Sequence, residues 1–141
     1  MECEFPSVNS NNEEMLEILD SVKTIAILGL SPDASKASNM VGKFLQNKGY
    51  KIVPVYPKEE MILGEKVYRS LLEIPFAVDM VDIFRKPDAF DAIADACIKR
   101  GDVKVFWGQL GLVNNDAAQK AKDAGMKVVQ NHCPKIELTN R

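Results

Sequence analysis

Two patterns of apolar residues follow each other in turn along the chain. In the first, apolar residues form short continuous runs, and in the second they recur every three or four positions over a longer stretch. The continuous runs predict strands at 24–28, 51–55, 78–84, 103–107 and 127–129, with a further short strand around Val67 and Tyr68. The first run, Thr24 to Leu28, is apolar almost throughout, which is typical of a strand buried on both faces of a parallel sheet.

The stretches with helical spacing predict helices at 11–22, 38–48, 87–100 and 115–124, and a one-turn helix at 70–73. Glycines follow three of them, at Gly49, Gly101 and Gly125, as expected where a helix ends. Strands that alternate with helices indicate βαβ units. The pattern predicts an α/β fold, doubly wound, with a mainly parallel sheet of five to six strands and helices on both faces. We expect residues 1–141 to form a single domain, with the helix at 11–22 packed on it.

Composition narrows the function classes. The 141 residues are 46% hydrophobic and 27% charged, with a formal net charge of −2, so there is no electrostatic attraction to nucleic acid or to an anionic membrane. No apolar run approaches the roughly 18 residues of a membrane span. The acidic N-terminus does not resemble a secretory signal. Cys3, Cys97 and Cys133 are odd in number and include no CxxC pair, which argues against a disulfide framework or a zinc site. These features predict a cytoplasmic protein.

Candidate chemistry lies where the predicted strands end. Ligands of an open parallel sheet bind beyond the carboxyl ends of its strands, near the point where strand order reverses. Five segments meet at that edge, 29–36, 56–58, 84–86, 108–111 and 131–135.

The segment after the first strand is the most informative of the five. Gly29 permits a sharp turn and a close backbone approach, so that a side chain there would collide with a ligand or with the turn. Ser31, Ser35 and Ser38 offer hydroxyl groups beside a helix N-terminus, which together outline a phosphate cradle. Neither GxGxxG nor GK[ST] is present. A short turn whose serines only cap the helix remains an equal alternative.

Several motifs in order give the chain a family resemblance. They are Gly29-Leu30-Ser31-Pro32, Val53 to Lys58, Leu63 to Leu71, Val81 to Arg85, Gln109-Leu110-Gly111 and Cys133 to Glu137. With this set, the chain from about 23 to 137 resembles the stand-alone CoA-binding family, which is related to the CoA-binding half of the succinyl-CoA synthetase α subunit. The resemblance implies a Rossmann-like fold and coenzyme A as the ligand.

The resemblance also implies which positions contact the coenzyme. A diphosphate loop is expected at the first strand end, a basic contact after the second strand, and further contacts after the later strands. The cations Lys36, Lys58 and Arg85 would pair with phosphate groups, and Phe84 would face the adenine. The full set of expected contacts is Gly29, Ser31, Pro32, Lys36, Ser38, Pro57, Lys58, Phe84, Arg85, Gly108, Gln109, Leu110 and Cys133.

Two positions depart from the family pattern. Tyr56 stands where relatives often have asparagine, and His132 stands where many have arginine. A histidine next to Cys133 suggests an activated thiol, but the sequence reveals no carboxylate to orient the ring. A structural cysteine is therefore the favoured interpretation, and Cys97, on a helix face, is expected in the core.

The sequence favours a binding protein over an enzyme. Succinyl-CoA synthetase uses a phosphohistidine on a second domain and a nucleotide-binding partner subunit, and neither is encoded here. The Glu59-Glu60 and Asp79-Asp82 pairs do not form an acid–base site. The expected function is non-catalytic binding of CoA or acyl-CoA at the carboxyl edge, as a carrier, sensor or regulatory module, with a homodimer or a partner enzyme left open. The alternatives are an NAD(P)-binding domain of a redox sensor or dehydrogenase-like protein, and an interaction protein without a ligand.

Overall fold

The sheet has the predicted parallel architecture. The computed structural model describes residues 5–140. Five parallel strands, β1 (Thr24–Leu28), β2 (Lys51–Val55), β5 (Met80–Ile83), β6 (Val105–Gly108) and β7 (Lys127–Val129), lie in the order β2-β1-β5-β6-β7. Two further strands, β3 (Met61–Ile62) and β4 (Glu65–Lys66), pair with each other in an antiparallel hairpin. Because β2 and β5 flank β1 on opposite sides, strand order reverses between β1 and β5.

Helices cover both faces of the sheet, as the sequence predicts. They are α1 (Asn12–Ser21), α2 (Ala37–Asn47), α3 (Phe90–Arg100), α4 (Asn115–Asp123) and α5 (Pro134–Thr139). Apolar residues of α1 and α2, together with Leu138 of α5, share one core cluster with Ile25, Ile27 and Trp107 of the sheet. Those of α3 and α4 share the other with Ala26 and Phe106. Successive strand residues thus face opposite helix layers, which is the doubly wound, Rossmann-like arrangement.

The structure corrects the sequence prediction at three elements. The strand expected around Val67 and Tyr68 is reduced to a single bridge between Tyr68 and Val55, and the hairpin β3–β4 precedes it. The helix expected at 87–100 begins as a 3₁₀ turn, Pro87–Ala89, before α3. Helix α5 was not predicted. No helix within residues 5–140 is both long and apolar enough to cross a bilayer.

Arg100, the last residue of α3, fixes the segment between β4 and β5. Its guanidinium is 9% exposed, and all five of its N–H donors are used. They donate to the carbonyl oxygens of Leu71, Ile74 and Phe76 and to both carboxylate oxygens of Asp102, at donor–acceptor distances of 2.7 to 3.0 Å. One side chain therefore ties the 3₁₀ turn Leu71–Glu73 and the loop after it to the end of α3.

Both edges of the sheet are covered by other segments of the chain. At β7, the side chain of Asn9 donates to the carbonyl of Gln130 and accepts from its N–H, at 3.1 and 2.9 Å. The hydroxyl of Ser10 donates to the carbonyl of Val128 at 2.7 Å. On the outer side of β2, the backbone of Tyr68 bonds to that of Pro54 and Tyr56, each at 3.0 Å.

Candidate functional site

The loops at the carboxyl ends of the strands are joined to one another by backbone hydrogen bonds. Each loop begins with an N–H that donates to a carbonyl oxygen of the neighbouring strand. The pairs are Gly29 to Val55 (2.9 Å), Phe84 to Leu28 (2.8 Å), Gln109 to Ile83 (3.2 Å) and His132 to Gly108 (3.4 Å). The predicted convergence of these segments is therefore confirmed.

Gly29 is required by the protein itself. Its φ is +90°, and a Cβ at this position would lie 2.7 Å from the carbonyl oxygen of Phe84 and 3.1 Å from Cδ of Arg85. The turn after β1 thus packs directly on the turn after β5, where strand order reverses. A Gly29→Val change would break this packing whether or not a ligand binds, so it does not test ligand contact at Gly29.

The serines of the loop are partly used inside it. The N–H of Ser31 donates to Oγ of Ser38 at 3.0 Å, and the side-chain amide of Asn39 donates to the carbonyl of Ser31 at 2.9 Å. Ser38 is 6% exposed. These bonds hold the loop against the first turn of α2. Oγ of Ser31 accepts from the N–H of Asp33 at 3.1 Å and keeps its own proton available to donate.

The N-terminus of α2 has free donors. Lys36 is the N-cap and makes no side-chain capping bond, and the first turn contains no acidic residue. The N–H groups of Ala37 and Ser38 donate to no described residue, as expected at the first positions of a helix. Asp33, in the loop before the helix, has its pKa lowered by hydrogen bonds from the backbone and hydroxyl of Ser35 and by the charge of Lys36. The helix end can receive an anion.

An open pocket of about 270 Å³ lies on the α3 face of the same edge. Its floor is apolar and small side chains of α3 leave the space free, while two arginines and a serine stand at its rim. We call it the arginine pocket; it is lined by Leu28, Val55, Arg69, Ser70, Leu71, Arg85, Ala89, Ala92, Ile93 and Ala96.

The two arginines of this pocket are held differently. Nη1 of Arg69 donates to the carbonyl oxygens of Tyr56 and Lys58 at 3.2 and 2.9 Å, which fixes the chain after β2. Arg85 is exposed, and its side chain packs against the backbone of Gly29. It pairs with no carboxylate among the described residues. The sequence analysis did not name Arg69 and Ser70, which line this pocket, although both lie inside the Leu63 to Leu71 motif.

The other expected contact residues are spread over the edge. Pro32, Lys36, Pro57 and Lys58 are exposed. Phe84 is half-buried and packs on the α2 side of the sheet, away from the arginine pocket.

The residues after β6 differ in exposure. Gly108 is buried, and a Cβ at this position would lie 2.9 Å from the ring of Phe90. Leu110 is 59% exposed. Gln109 is 5% exposed, and its side-chain oxygen has no hydrogen-bond partner among the described residues.

Asp82 is a fully buried carboxyl in the middle of β5. Both of its oxygens lack a hydrogen-bond partner among the described residues. Burial raises its pKa well above the ordinary carboxyl value and so favours the neutral form. Asp79 lies at the opposite edge, where its carboxylate accepts from the N–H groups of Lys23 and Thr24. The two carboxyls do not form an acid–base pair, as the sequence indicates.

The described cysteines are unreactive by environment. Cys97 and Cys133 are both free and buried. Burial raises the pKa of Cys97 to about 12. Burial also raises the pKa of Cys133, against hydrogen bonds from the backbone of Ile136 and Lys135 that lower it. Neither thiol is activated, which supports a structural role for both; Cys3 lies outside the described residues.

His132 has an orienting carboxylate, contrary to the sequence analysis. Its Nδ1 lies 3.2 Å from Oε2 of Glu137, in α5. The backbone of His132 is fixed on both sides, because its N–H donates to Gly108 and its carbonyl oxygen accepts from Nε1 of Trp107 at 2.9 Å. The imidazole is 33% exposed. The ring is thus positioned at the carboxyl edge, directed by Glu137 rather than by Cys133.

Taken together, these features define a class of protein. A doubly wound parallel sheet with a glycine turn and a free helix N-terminus where strand order reverses is the architecture of coenzyme-binding Rossmann-like domains. The chain belongs to a family within that class, because the model of the CoA binding domain family matches residues 23–139.

Relatives fall into stand-alone chains and parts of ligases. An uncharacterized protein of Bacillus subtilis, YneT, is 39% identical over 128 residues, which cover 91% of this chain and 94% of that protein. A hypothetical protein from Pyrococcus horikoshii has a solved structure with a TM-score of 0.89 and 38% identity, covering 99% of this chain and 98% of that one. The α subunit of an ADP-forming acetate–CoA ligase I of Pyrococcus furiosus is 34% identical, with 81% of this chain matching only 28% of the subunit. The chain thus spans less than a third of that ligase subunit.

Proposed function

We propose that the protein binds coenzyme A or acyl-CoA at the carboxyl edge of its sheet, as a single domain that acts as a carrier, sensor or regulatory module in the cytoplasm. The observation that carries the proposal is the arginine pocket, which opens beside the Gly29 turn where strand order reverses. Family membership supports the coenzyme, and the pocket and loops supply groups that suit each of its parts.

The adenosine end of CoA suits the arginine pocket. A volume of about 270 Å³ accommodates an adenine ring, and the pocket floor of alanine, valine and leucine side chains suits a flat apolar surface. CoA carries a phosphate on the ribose of its adenosine, and Arg85 is a cation at the rim, without a carboxylate partner in residues 5–140, that suits such a group. We therefore assign adenine to this pocket rather than to Phe84.

The diphosphate of CoA suits the N-terminus of α2. The free N–H groups of Ala37 and Ser38, the hydroxyl of Ser31 and the side chain of Lys36 are donors of the kind that diphosphates require. From there the pantetheine arm would run across the ends of β5, β6 and β7. Leu110, which follows β6 and is 59% exposed, lies on that route as an apolar contact for the arm.

NAD, with its unmodified ribose, is the weaker candidate at the same edge. NAD-binding domains place a carboxylate at the end of the second strand to hold the ribose hydroxyls. Here the chain after β2 continues as Tyr56-Pro57-Lys58, and the rim of the pocket is cationic. These groups favour a phosphorylated ribose and disfavour an unmodified one.

Ligase chemistry is not part of the proposal. The matched region covers only 28% of the Pyrococcus ligase subunit, so the activity of that subunit is said of the ligase alone. A homodimer or a partner enzyme that receives the bound coenzyme fits this role.

We expect CoA to raise the melting temperature and NAD to leave it unchanged. A ligand that binds only the folded state adds RT ln(1 + [L]/Kd), about 2.7 kcal/mol at a hundredfold excess over Kd. Differential scanning fluorimetry with each compound at equal concentration measures the shift. A larger shift with NAD would contradict the proposal in favour of the dinucleotide.

Arg85→Ala should weaken CoA binding by about ten- to a hundredfold, because a charge-assisted contact is worth about 1.5–3 kcal/mol. Dephospho-CoA, which lacks the ribose phosphate, should bind the wild type and this variant with nearly the same affinity. Isothermal titration calorimetry gives both values.

Lys86→Ala is the matched control for Arg85→Ala, since Lys86 is the next exposed cation and does not line the arginine pocket. It should bind CoA like the wild type. Equal losses for CoA and dephospho-CoA in Arg85→Ala would place the ribose phosphate elsewhere.

A further inference from the structure

His132 and Glu137 form a pair whose geometry suits proton transfer. A carboxylate can only accept a hydrogen bond, so the contact between Nδ1 and Oε2 at 3.2 Å places the proton of the neutral ring on Nδ1. The lone pair of the ring then lies on Nε2. No described residue bonds to Nε2, and the ring is partly exposed at the carboxyl edge.

The order of the strands sets the distance from the diphosphate loop to this ring. The loop follows β1, and His132 follows β7, with β5 and β6 between them. Three strand spacings separate the two, about 14 Å in total. An extended pantetheine arm has a length of the same order. A coenzyme with its adenosine in the arginine pocket on the β2 side would therefore carry its thiol to the opposite end of the edge.

We infer that His132, oriented by Glu137, is a base that takes the proton of the CoA thiol; the inference rests on the proposed function. The S–H bond breaks, its electron pair stays on sulfur, and the proton moves to Nε2. The products are a CoA thiolate and an imidazolium whose positive charge faces the Glu137 carboxylate. Thiolate is the nucleophilic form of the coenzyme. The protein would thus present CoA activated for a reaction with an acyl group brought by a partner.

Structural roles do not account for all features of the pair. An ion pair between α5 and the preceding loop needs only a cation, and arginine serves that purpose with a permanent charge. Histidine instead offers a lone pair when neutral. Cys133 is the nearest protein thiol in sequence, but it is buried and its own environment disfavours the thiolate.

The charge state of His132 can be read directly by NMR, because it is the single histidine of the sequence. On addition of CoA at neutral pH, we expect the ring ¹⁵N signals to move to imidazolium positions. Desthio-CoA, which lacks the thiol, should bind with similar affinity and leave the ring signals where they are in the free protein. If both ligands bind and neither moves the ring signals, or if both move them equally, the inference is overturned while CoA binding stands. If neither binds, the proposed function fails as well.

Alkylation of the bound coenzyme provides a second measurement. Iodoacetamide should modify CoA bound to the wild type about tenfold faster than CoA bound to His132→Gln, which corresponds to one unit in thiol pKa. Glutamine keeps a donor for Glu137 but cannot take the proton. The alkylation rate of CoA bound to Glu137→Gln should fall between those for the wild type and His132→Gln. Lys135→Gln, which removes a charge from the same helix turn, should match the wild type. Equal rates in the wild type and His132→Gln would overturn the inference.

Discussion

Asp82→Asn is expected to make the protein more stable than the wild type at neutral pH and to leave its stability nearly unchanged at pH 4. Neither oxygen of the wild-type carboxyl has a hydrogen-bond partner in the described part of the chain, and burial raises its pKa above the ordinary value of 3.8. A carboxyl whose pKa is raised in the folded protein does not lower the unfolding free energy as long as it is protonated in both the folded and the unfolded chain. As pH rises above the ordinary value, the unfolded chain ionises freely and the folded chain does not.

The size of this effect follows from proton linkage. Each pH unit between the ordinary carboxyl value and the raised folded value costs the wild type about 1.4 kcal/mol of unfolding free energy. An amide of the same shape cannot ionise, so Asp82→Asn avoids that cost. Urea unfolding of both proteins at several pH values between 4 and 8 measures the difference. The control is Asp116→Asn, which replaces an exposed carboxyl in the first turn of α4. Its unfolding free energy should change with pH as that of the wild type does.

A difference between Asp82→Asn and the wild type that does not change with pH would show that Asp82 is already ionised in the folded protein. Asp82→Leu gives an independent check, because it removes the buried polar atoms as well as the charge. It should show the same pH dependence as the asparagine variant.

Arg100→Met should lower the unfolding free energy by about 3 kcal/mol. The change leaves three carbonyl groups and Asp102 without the donors that satisfy them, and breaking a buried ion pair typically costs about 3–5 kcal/mol. We expect the lower end of that range because the Asp102 side chain is 31% exposed and keeps contact with water. Urea denaturation at neutral pH measures the loss.

Two comparisons test the cause of that loss. Lys99→Met, at the preceding exposed position of α3, should change stability by less than about 0.5 kcal/mol. Arg100→Lys keeps the charge but not the five-donor geometry, and should retain only a small part of the unfolding free energy that Arg100→Met loses. Full recovery by lysine would mean that charge alone, and not the bonds to the three carbonyls, holds this segment.

Asp102 adds a pH dependence of the opposite sign to that of Asp82. Burial tends to raise the pKa of Asp102, but hydrogen bonds from Arg100 and from the N–H of Val78 outweigh it and the pKa is lowered. The stability contributed by this carboxylate is present above the ordinary carboxyl range and is lost as pH falls through the lowered value. Asp82 therefore lowers the unfolding free energy as pH rises above the ordinary carboxyl range, whereas the contribution of Asp102 is lost as pH falls below it.

The five strands of the parallel sheet and four of the helices could be predicted because each has a local signal. A continuous apolar run marks β1, and glycines with positive φ follow α3 and the last residues of α4. Helix α5 lacks such signals, since its N-cap is Cys133 and no side chain caps it. The strands of the β3–β4 hairpin are two residues each, too short for an alternating pattern to appear.

The site was predictable in its position and less so in its contacts. The carboxyl edge follows from the βαβ pattern alone. Ser38 can face a ligand or bond to Ser31, depending on how the loop folds on α2. The structure shows the second arrangement, in which the N–H of Ser31 donates to Oγ of Ser38. The pairing of His132 with Glu137 escapes sequence analysis because the two are five residues apart, across the turn that starts α5, where no helical spacing applies.

The covered edges of the sheet restrict how copies of this protein can associate. An open edge strand is a template for another strand, and proteins that leave one exposed risk fibrous aggregation. At β7 the side chains of Asn9 and Ser10 occupy backbone groups that an incoming strand would need, and at β2 the chain around Tyr68 does the same. A homodimer that extends the sheet across either edge would first have to displace these segments. A homodimer that packs through helix surfaces would leave these segments in place.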